Sequence, residues 1–377
     1  MDLSLNEMQE MLKRTAREFL EKECSNAVVR RSEEDERGYP PELWQKMAQQ
    51  GWTSMVLPSQ YGGAGASFLD VAVLYEEMGR AMTPGPFMDV VLSEYMLLDL
   101  AADAQKQQYL PQLGSGNIIM TVAYTEPTAS YEPDAIHLQA TRAGDEFVLN
   151  GVKLFVPNAH IADQLLVVAR TREAVNKQDG LTVFLVDPRS SGVTTTLLKT
   201  IASDRQAEVA FDNVRVPASN AVGPVDGAWP AIRKYLDRAT ALTCVRSVGG
   251  ADCVLEMTVD YAKTRVQFGR PIGTFQAISH KCADMAIDTD AACGSSPTKP
   301  PGGSARASQP TRSWPWPRPG PPDAYRRVTA LGHQIHGGVG FMMEYDMQMY
   351  YRRAKAAEVA FGDADFHREK VALGLGL

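Results

Sequence analysis

A short run of polar side chains between two apolar helical patterns is the first place to look for chemistry. Arg265, Gln267 and Gln276 lie in the stretch Arg-Val-Gln-Phe-Gly-Arg-Pro-Ile-Gly-Thr-Phe-Gln. The glycines and the proline of this stretch end a helix, because glycine frees the backbone and proline lacks an amide donor. The polar groups therefore stand at a junction held by rigid flanks. From spacing alone, we favour an ordinary helical hairpin with a surface arginine.

Two helices must position this stretch. Before it, apolar residues recur at spacings of three, four or seven, which predicts one face of a long helix. These residues are Ala241, Val245, Val248, Leu255, Val259 and Ala262. After it, a second helical pattern runs from Phe275 through Ile278 to Met285.

Other chemistry-bearing patterns in the sequence are weaker. The loop Tyr61-Gly-Gly-Ala-Gly has the composition of a phosphate cradle, but it lacks the lysine and the preceding strand, so it predicts a turn. The cysteines are odd in number and show no metal-ligand spacing, so no metal site is predicted and we expect a reducing, cytoplasmic setting. They are Cys24, Cys244, Cys253, Cys282 and Cys293.

Length and composition limit the class of protein. The 377 residues exceed one typical core, so two or three domains are expected, and a hydrophobic content of 44% predicts a folded globule. A net charge of −7 argues against nucleic acid or an anionic membrane as a partner. The start Met-Asp-Leu-Ser-Leu-Asn-Glu has no signal-peptide pattern, and no apolar run approaches the roughly 20 residues of a membrane span.

The N-terminal part, residues 1–116, has helical patterns throughout. Ser4 followed by Glu7 predicts a capping box at the start of the first helix. Pro40-Pro41 predicts the start of another helix, and apolar periodicity predicts further helices over 68–82 and 90–102.

From about Ile118 the pattern changes to short runs rich in Val, Leu and Thr that are separated by turn signals. Strands are predicted over 119–125, 137–141, 146–149, 164–170, 181–186, 193–198 and 208–211. Their spacing predicts a small antiparallel β-barrel or sandwich over residues 117–224. With a C-terminal helical bundle over 225–377, the predicted fold class is α+β with three domains.

The stretch from Arg265 to Gln276 resembles the C-terminal signature of the acyl-CoA dehydrogenase family. A second block, Gln-Ile-His-Gly-Gly-Val-Gly-Phe at 334–341, resembles another flavin-contacting turn of that family. The resemblance covers nearly the whole chain and implies the same helix–strand–helix order. It also implies an FAD protein in which Arg265, Gln267 and Phe268 reach a neighbouring subunit's flavin. Gln334 and Gly338 are implied to bind FAD across the same subunit contact, and Gln276 is implied to bind the cofactor.

The middle domain carries two further similar segments. Tyr-Thr-Glu-Pro at 124–127 resembles the flavin-facing segment, which gives Thr125 a role on the pyrimidine edge of the ring. Just after it, Tyr131 stands where the family has a small serine near the thioester. Leu-Phe-Val-Pro-Asn at 154–158 resembles the segment along the flavin, with Phe155 against the ring. Pro157 falls where many relatives carry a threonine that bonds the flavin N5, a donor that proline lacks.

The resemblance implies α,β-dehydrogenation of an acyl-CoA thioester, in which a carboxylate removes the α-proton and a hydride leaves the β-carbon for the flavin. Neither family position for this carboxylate holds one. Phe361 occupies the first, and Ala239 the second. Asp237 is the candidate base, although it lies two residues, about 200° around a helix, from Ala239. Arg238 matches a segment that lines the CoA and acyl pocket.

Three alternatives stay open. The chain is an acyl-CoA dehydrogenase with its base at an unusual position, or a base-less subunit that completes the active site of a different subunit, or a relative that uses the fold for another flavin oxidation. Glu358 and Asp363 are the other nearby carboxylates and are expected to be solvated surface charges. The implied partners are an electron-transferring flavoprotein and further subunits of a homo- or hetero-tetramer.

Residues 293–322 differ from the rest of the chain. Nine of the 23 prolines fall in these 30 residues, and no helix can form through Pro-Trp-Pro-Arg-Pro-Gly-Pro-Pro at 315–322. The flanks 286–292 and 323–331 nevertheless have helical patterns. A Pro-rich insertion is one interpretation; we favour a stretch translated in the wrong frame between two compensating shifts, since the length is kept while the helix propensity is lost.

Overall fold

The computed structural model describes residues 5–295 and 320–377, without the side chains of 293–295. The chain divides into two compact units. The helical unit comprises Met1–Val29, Phe68–Thr83 and Thr240–Leu377, and the sheet unit comprises Arg30–Ser67 and Pro84–Ala239. The predicted domain boundaries after residues 116 and 224 stay a prediction, whereas the predicted helix–sheet–helix order along the chain is confirmed.

The helices of the described residues follow the chain in this order: α1 Glu7–Glu23, α2 Asn26–Glu34, α3 Pro41–Gln49, α4 Phe68–Arg80, α5 Phe87–Leu100, α6 Asp103–Gly114, α7 Trp229–Thr264, α8 Gln276–Ser295, α9 Pro321–His336, α10 Met347–Val359 and α11 Ala364–Leu375. The predicted start of α3 at Pro40-Pro41 is confirmed, with Pro41 as its first residue. The predicted helices over 68–82 and 90–102 correspond to α4 and α5.

The predicted capping box of α1 was wrong by two residues. Asn6 is the N-cap; its side chain accepts from the amide of Gln9 at 2.9 Å, and the Gln9 side chain accepts from the Asn6 amide at 3.2 Å. Asparagine caps a helix as well as serine does, and the glutamine side chain can accept from the N-cap amide as glutamate does. The pairs Ser4–Glu7 and Asn6–Gln9 therefore both fit the capping-box pattern. Ser4 itself lies outside the described residues.

The sheet unit is built on one sheet of eight strands in the order β6-β7-β3-β2-β4-β5-β8, with β1 paired to β4. The strands are β1 Met120–Ala123, β2 Gln139–Ala143, β3 Glu146–Pro157, β4 Gln164–Arg170, β5 Leu181–Val186, β6 Val193–Leu198, β7 Gln206–Pro217 and β8 Ala221–Val222. Pairing is mainly antiparallel, but β4 pairs in parallel with both β1 and β2. The Phe147 and Phe184 rings, with centroids 5.0 Å apart, pack in the core of the unit.

The helical unit holds the signature stretch between α7 and α8. Four residues of the predicted apolar face of α7 are buried, namely Ala241, Val245, Val248 and Ala262. The helix ends at Thr264, and the two short strands β9 Val266–Gln267 and β10 Arg270–Pro271 form a tight antiparallel hairpin before α8 begins. The helical flanks of the Pro-rich stretch are confirmed in α8 and α9, while residues 296–319 of that stretch lie outside the described residues.

Candidate functional site

Two of the predicted cofactor residues, Thr125 and Phe155, lie side by side in the sheet unit. The amide of Leu154 donates to the carbonyl oxygen of Thr125 at 2.8 Å, which joins the segment after β1 to the end of β3. Thr125 is buried, whereas 47% of the Phe155 surface is exposed. Phe155 also has φ of +54°, a conformation that a bulky side chain rarely adopts outside functional sites. An exposed aromatic ring is thus held by strained backbone beside the threonine.

A buried ion pair that the sequence analysis missed holds this arrangement in place. Lys153 on β3 is fully buried, and its Nζ lies 2.7 Å from Oε1 of Glu126 and 3.0 Å from the Tyr124 carbonyl oxygen. Burial lowers the pKa of Lys153 to about 8, although the Glu126 carboxylate opposes this shift. Glu126 also accepts from the amides of His137 at 2.8 Å and Leu138 at 3.0 Å. We call this group, Lys153 with Glu126 and its partners, the anchor.

A sequence signal for the anchor exists in the alternation of β3. Phe147 and Leu149 face the core, and Lys153 continues the same odd-numbered face, so a lysine falls at a buried position. A buried lysine requires a carboxylate partner, since an unpaired charge in the interior is costly. Glu126, three residues after the end of the fully buried strand β1, is the candidate that this rule could have identified.

The predicted substrate residues also belong to the sheet unit. Tyr131 stacks on Tyr124 with ring centroids 6.2 Å apart, and the Tyr124 hydroxyl donates to the Tyr131 carbonyl oxygen at 3.0 Å. Burial raises the pKa of Tyr235 on α7, and the nearby Asp89, Tyr131 and Tyr124 add to this effect. A cluster of tyrosines thus follows the flavin-facing segment.

Arg238 and Asp237 follow on the first part of α7. The Arg238 guanidinium lies 2.7 Å from the Asp99 carboxylate and 4.2 Å from the centre of the Tyr95 ring, so its charge is already balanced. Asp237 is half-buried, and α7 runs without interruption through Asp237 and the fully buried Ala239. No slip of the helix therefore rotates Asp237 towards the Ala239 face, and its role as base stays a prediction.

The signature hairpin of the helical unit presents unusually exposed side chains. Arg265, Gln267 and Gln276 are all exposed, and the Arg265 guanidinium forms no ion pair with any described residue. Phe268 has 92% of its surface exposed and φ of +50°. The backbone is nevertheless fixed, because the Ile272 amide donates to the Arg265 carbonyl oxygen at 2.8 Å. This combination is typical of a surface that another molecule covers.

The second resembling block lies beside the hairpin. Tyr261, near the end of α7, stacks on His336 at the end of α9 with ring centroids 4.3 Å apart. The turn that follows contains Gly338, where an added Cβ would meet no atom of the described chain within 4 Å. Packing within the chain therefore does not explain this glycine. Gln334, one turn before it, is exposed.

A cleft in the helical unit surrounds the turn between α10 and α11. Its cavity volume is about 20 Å³, which is room for about one water molecule. Phe361, which stands where the family has its glutamate, forms this turn with Gly362. The cleft is lined by Thr240, Thr243, Cys244, Pro322, Asp323, Glu358, Ala360, Gly362, Asp363, Ala364 and His367.

Several other features can be stated for the described part of the chain. Its cysteines Cys24, Cys244, Cys253 and Cys282 are free thiols. Residues 5–295 and 320–377 contain no group of three or more His, Cys, Asp or Glu side chains that could hold a metal ion. None of the helices described there combines the length and the apolar character that crossing a bilayer requires.

Comparison with known families matches three segments of the chain in order. They correspond to the N-terminal domain of acyl-CoA dehydrogenases at residues 6–117, the middle domain at 121–214, and the C-terminal domain at 226–293 and 322–376. The gap in the last match falls on the Pro-rich stretch.

Individual proteins are similar over nearly their full lengths. An acryloyl-CoA reductase (NADH) from Anaerotignum propionicum is 30% identical over 380 residues, covering 99% of this chain and 95% of the relative. The structure of butyryl-CoA dehydrogenase from Megasphaera elsdenii aligns with a TM-score of 0.84 at 26% identity, covering 100% of both chains. A chain of the ChsE4-ChsE5 complex from Mycobacterium tuberculosis aligns with a TM-score of 0.82 at 25% identity, over 100% of this chain and 99% of that one.

Proposed function

Because the chain belongs to the acyl-CoA dehydrogenase family, we propose that it is an FAD-dependent enzyme that removes hydrogen from Cα and Cβ of an acyl-CoA thioester. The observation that carries this proposal is the pairing of Thr125 with Phe155. An exposed aromatic ring in strained backbone stands next to a threonine on an anchored segment. Both residues occupy the positions that the resemblance assigns to the flavin ring.

The residues present fit FAD. The ring of Phe155 offers an exposed apolar surface to a flavin. Arg265 has a guanidinium without an ion pair among the described residues, which suits a charge-assisted bond to a pyrophosphate. The open space at Gly338 leaves room for a ligand or a second chain to approach the backbone closely. Gln267, Phe268, Gln276 and Gln334 complete the proposed set.

The chain's own contribution to the chemistry is positioning. FAD, when bound, supplies the electron acceptor for the hydride that leaves Cβ. The anchor prevents the segment with Thr125 from moving relative to Phe155, because Lys153 and Glu126 are both buried and hydrogen-bonded to each other and to the backbone. Tyr131, stacked on Tyr124, is proposed to pack against the thioester. A displacement of about 1 Å in such a site can lower the rate about 100-fold, so rigidity here is functional.

One alternative is a base-less subunit that completes a site on a different chain. Phe361 at the family's carboxylate position favours it, as does the similarity to a chain of the two-component ChsE4-ChsE5 complex. The reductase name of the Anaerotignum relative favours a third function, in which the same fold runs a different flavin oxidation or reduction. In each case we propose an oligomer, either a homo- or a hetero-tetramer, and an electron-transferring flavoprotein as the redox partner.

The test is an anaerobic titration of the purified chain with a panel of acyl-CoA thioesters. We expect the protein to be yellow and at least one thioester to bleach the flavin. Flavin that no thioester bleaches contradicts the proposed enzyme and favours the base-less subunit. Restoration of bleaching by a co-expressed second chain would then identify the mixed oligomer.

A variant of the hairpin tests the cofactor assignment separately. Arg265→Ala should lower flavin retention during gel filtration and loosen the oligomer, because it removes the charge-assisted bond to pyrophosphate. Lys263→Ala is the matched control, since Lys263 is an exposed cation two residues away whose side chain is 70% exposed. An Arg265→Ala protein that keeps as much flavin as the Lys263→Ala protein would contradict the assignment.

A further inference from the structure

We propose that Asp89 is a positioning residue for the Phe155 ring: its carboxylate holds the side chain of Asn158, and through Asn158 it fixes the orientation of the ring. The inference rests on the proposed function, because it takes Phe155 to contact the flavin. It deepens that function by giving a role to an acid that lies outside the flavin-facing segments. Asp89, Asn158 and Phe155 all belong to the sheet unit.

A β-bulge turns the Phe155 ring out of the sheet. Between Lys153 and Val156 the register of β3 with β7 shifts by one residue, so the two residues 154 and 155 stand opposite a single partner. Strict alternation would bury residue 155 on the same face as Lys153. Instead Val156 is 1% exposed and takes the buried place, while 47% of the Phe155 surface is exposed. Bulges next to active sites re-aim side chains in this way.

The bulge needs support on both sides, because its backbone is strained. Phe155 has φ of +54°, and a bulky residue keeps such a conformation only where surrounding contacts impose it. On the N-terminal side, the anchor holds Lys153. The amide of Leu154 also donates to the Thr125 carbonyl oxygen at 2.8 Å. On the C-terminal side, the support comes from Asn158.

Asn158, the residue that follows β3, is held through its backbone and its side chain. It has φ of +52°, a conformation that asparagine adopts more readily than most residues. Its amide donates to the Arg205 carbonyl oxygen at 2.7 Å, and its carbonyl oxygen accepts from the Ile161 amide at 3.2 Å. Its side-chain Nδ2 donates to Oδ2 of Asp89 at 2.7 Å.

Asp89 holds Asn158 from a helix. It lies in the first turn of α5 and is 7% exposed. A carboxylate at this place also interacts favourably with the N-terminal end of the helix. A hydrogen bond to a carboxylate is stronger than one between neutral groups, and it gains further strength away from water. The bond between Asp89 and Asn158 therefore ties the end of β3 to α5.

Loss of this bond should release the ring without unfolding the sheet. The pairing of Val156 and Pro157 with β7 does not involve Asp89, and the anchor stays in place. The Phe155 ring would then adopt several orientations. FAD would have to select one of them, which lowers its apparent affinity. The effect of Asp89 on FAD is thus indirect and requires the ring.

The experiment is a double-mutant cycle on the dissociation constant of FAD. The flavin is titrated into the apoprotein of the wild type, Asp89→Ala, Phe155→Ala and the double variant, and its fluorescence is followed. We expect each single variant to bind FAD about 10-fold more weakly. Because Asp89 acts through the ring, the double variant should also be weakened about 10-fold. Two independent effects would instead multiply to about 100-fold.

Three further variants distinguish the hydrogen bond from other effects of the substitution. Asp89→Asn keeps an oxygen that accepts from Asn158, so its affinity for FAD should stay within about threefold of the wild type. Asn158→Gly retains the positive φ but removes the donor, so it should match Asp89→Ala. Asp103→Ala is the matched control, since Asp103 is an exposed acid in the first turn of α6. It should leave the affinity unchanged.

The outcomes separate this inference from the proposed function. A wild type that binds no FAD contradicts both. An unchanged affinity in Asp89→Ala overturns the role of Asp89 alone, and so does a double variant weakened about 100-fold. The cycle needs no thioester, so bound flavin that no thioester bleaches counts against the proposed reaction alone. Should Asp89→Ala fail to fold, Asn158→Gly replaces it in the cycle with Phe155→Ala, and the same two results decide.

Discussion

The anchor of the sheet unit and the cleft of the helical unit both place ionisable groups out of solvent, yet they satisfy them differently. In the anchor, Lys153 and Glu126 bind each other, Lys153 also donates to one backbone carbonyl, and Glu126 accepts from two backbone amides. In the cleft, Nε2 of His367 is shielded from solvent and has no hydrogen-bond partner in the described part of the chain. A buried charged group that is paired and hydrogen-bonded fixes the positions of the segments it joins. A nitrogen with an unused lone pair can in addition accept a proton.

The difference suggests how the chain divides its tasks. The sheet unit presents Thr125 and Phe155 on a rigid frame. The helical unit tolerates a strained turn at Phe361 and an unpaired nitrogen, features that cost stability and that would be selected against without a function. Each variant below changes either the sheet unit or the helical unit that contains the cleft, and leaves the other unit unaltered.

Breaking the anchor should have the largest effect. Glu126→Gln leaves a charged lysine buried without its counterion, so the free energy of unfolding should fall by about 3–5 kcal/mol, with loss of flavin. The matched control is the exposed pair Arg215–Glu146, which joins β7 to β3 at 3.0 Å. Glu146→Gln should change stability by less than about 1 kcal/mol. Denaturant titration of both variants measures the difference. Similar losses in the free energy of unfolding would show that the buried pair contributes no more to stability than the exposed pair.

Disturbing the turn of the cleft should have an intermediate effect. Gly362→Ala forces a Cβ into the Phe366 ring at a φ of +101°, so we expect a loss of about 2 kcal/mol. Gly374→Ala, on the same helix α11, meets no atom within 4 Å and should instead stabilise by up to about 1 kcal/mol. Thermal unfolding of the two variants should therefore move in opposite directions. Equal shifts would argue against strain at the turn.

Glu94 is a second buried acid, but it lacks the hydrogen-bond partners that Glu126 has among the described residues. It lies on α5 with 0% exposure, and neither carboxyl oxygen has a hydrogen-bond partner among the described residues. Burial raises its pKa well above the ordinary value of 4.5. An unfolded glutamate ionises near pH 4.5, whereas folded Glu94 retains its proton to higher pH. Its contribution to stability is therefore lost as the pH rises above 4.5.

Glu94→Gln should remove this loss, since glutamine does not ionise. We expect the variant to match the wild type at pH 4.5 and to be more stable by about 1–2 kcal/mol at pH 8. Glu42→Gln, at an exposed position of α3, should show no such pH dependence. Denaturant unfolding at both pH values measures the effect. A Glu94→Gln protein with an unchanged pH profile would mean that Glu94 finds a partner in solution.

Hydrophobic periodicity predicted the regular elements well. The bounds of β4, β5 and β6 match their predicted ranges, because each strand is a compact run of Val, Leu and Thr between turn signals. The N-cap of α1 was predicted at Ser4 but lies at Asn6, because Asn6 with Gln9 forms a capping box of the same kind as Ser4 with Glu7 would. The two parallel pairings of β4 could not be predicted, since pairing direction depends on long-range contacts rather than local pattern.

The candidate site was less accessible from sequence. The roles of Arg265 and Gln334 rest on the resemblance and stay predictions. The structure brings their segments together through the stack of Tyr261 on His336. The strained turn at Phe361 and Gly362 was missed because no spacing rule encodes a turn conformation. The Pro-rich stretch keeps its frame-shift interpretation as a prediction, which resequencing codons 285–325 would decide. A verified in-frame sequence contradicts it.

The most direct test of the account is exchange of the α-proton of an acyl-CoA with deuterated solvent, because it follows the base without requiring net oxidation. The flavin-containing wild type is incubated anaerobically with the thioester in deuterium oxide, and deuterium at Cα is measured by mass spectrometry. The account predicts incorporation by the wild type and at least about 100-fold slower incorporation by Asp237→Asn, which removes the candidate base. Equal incorporation by the two proteins would contradict it.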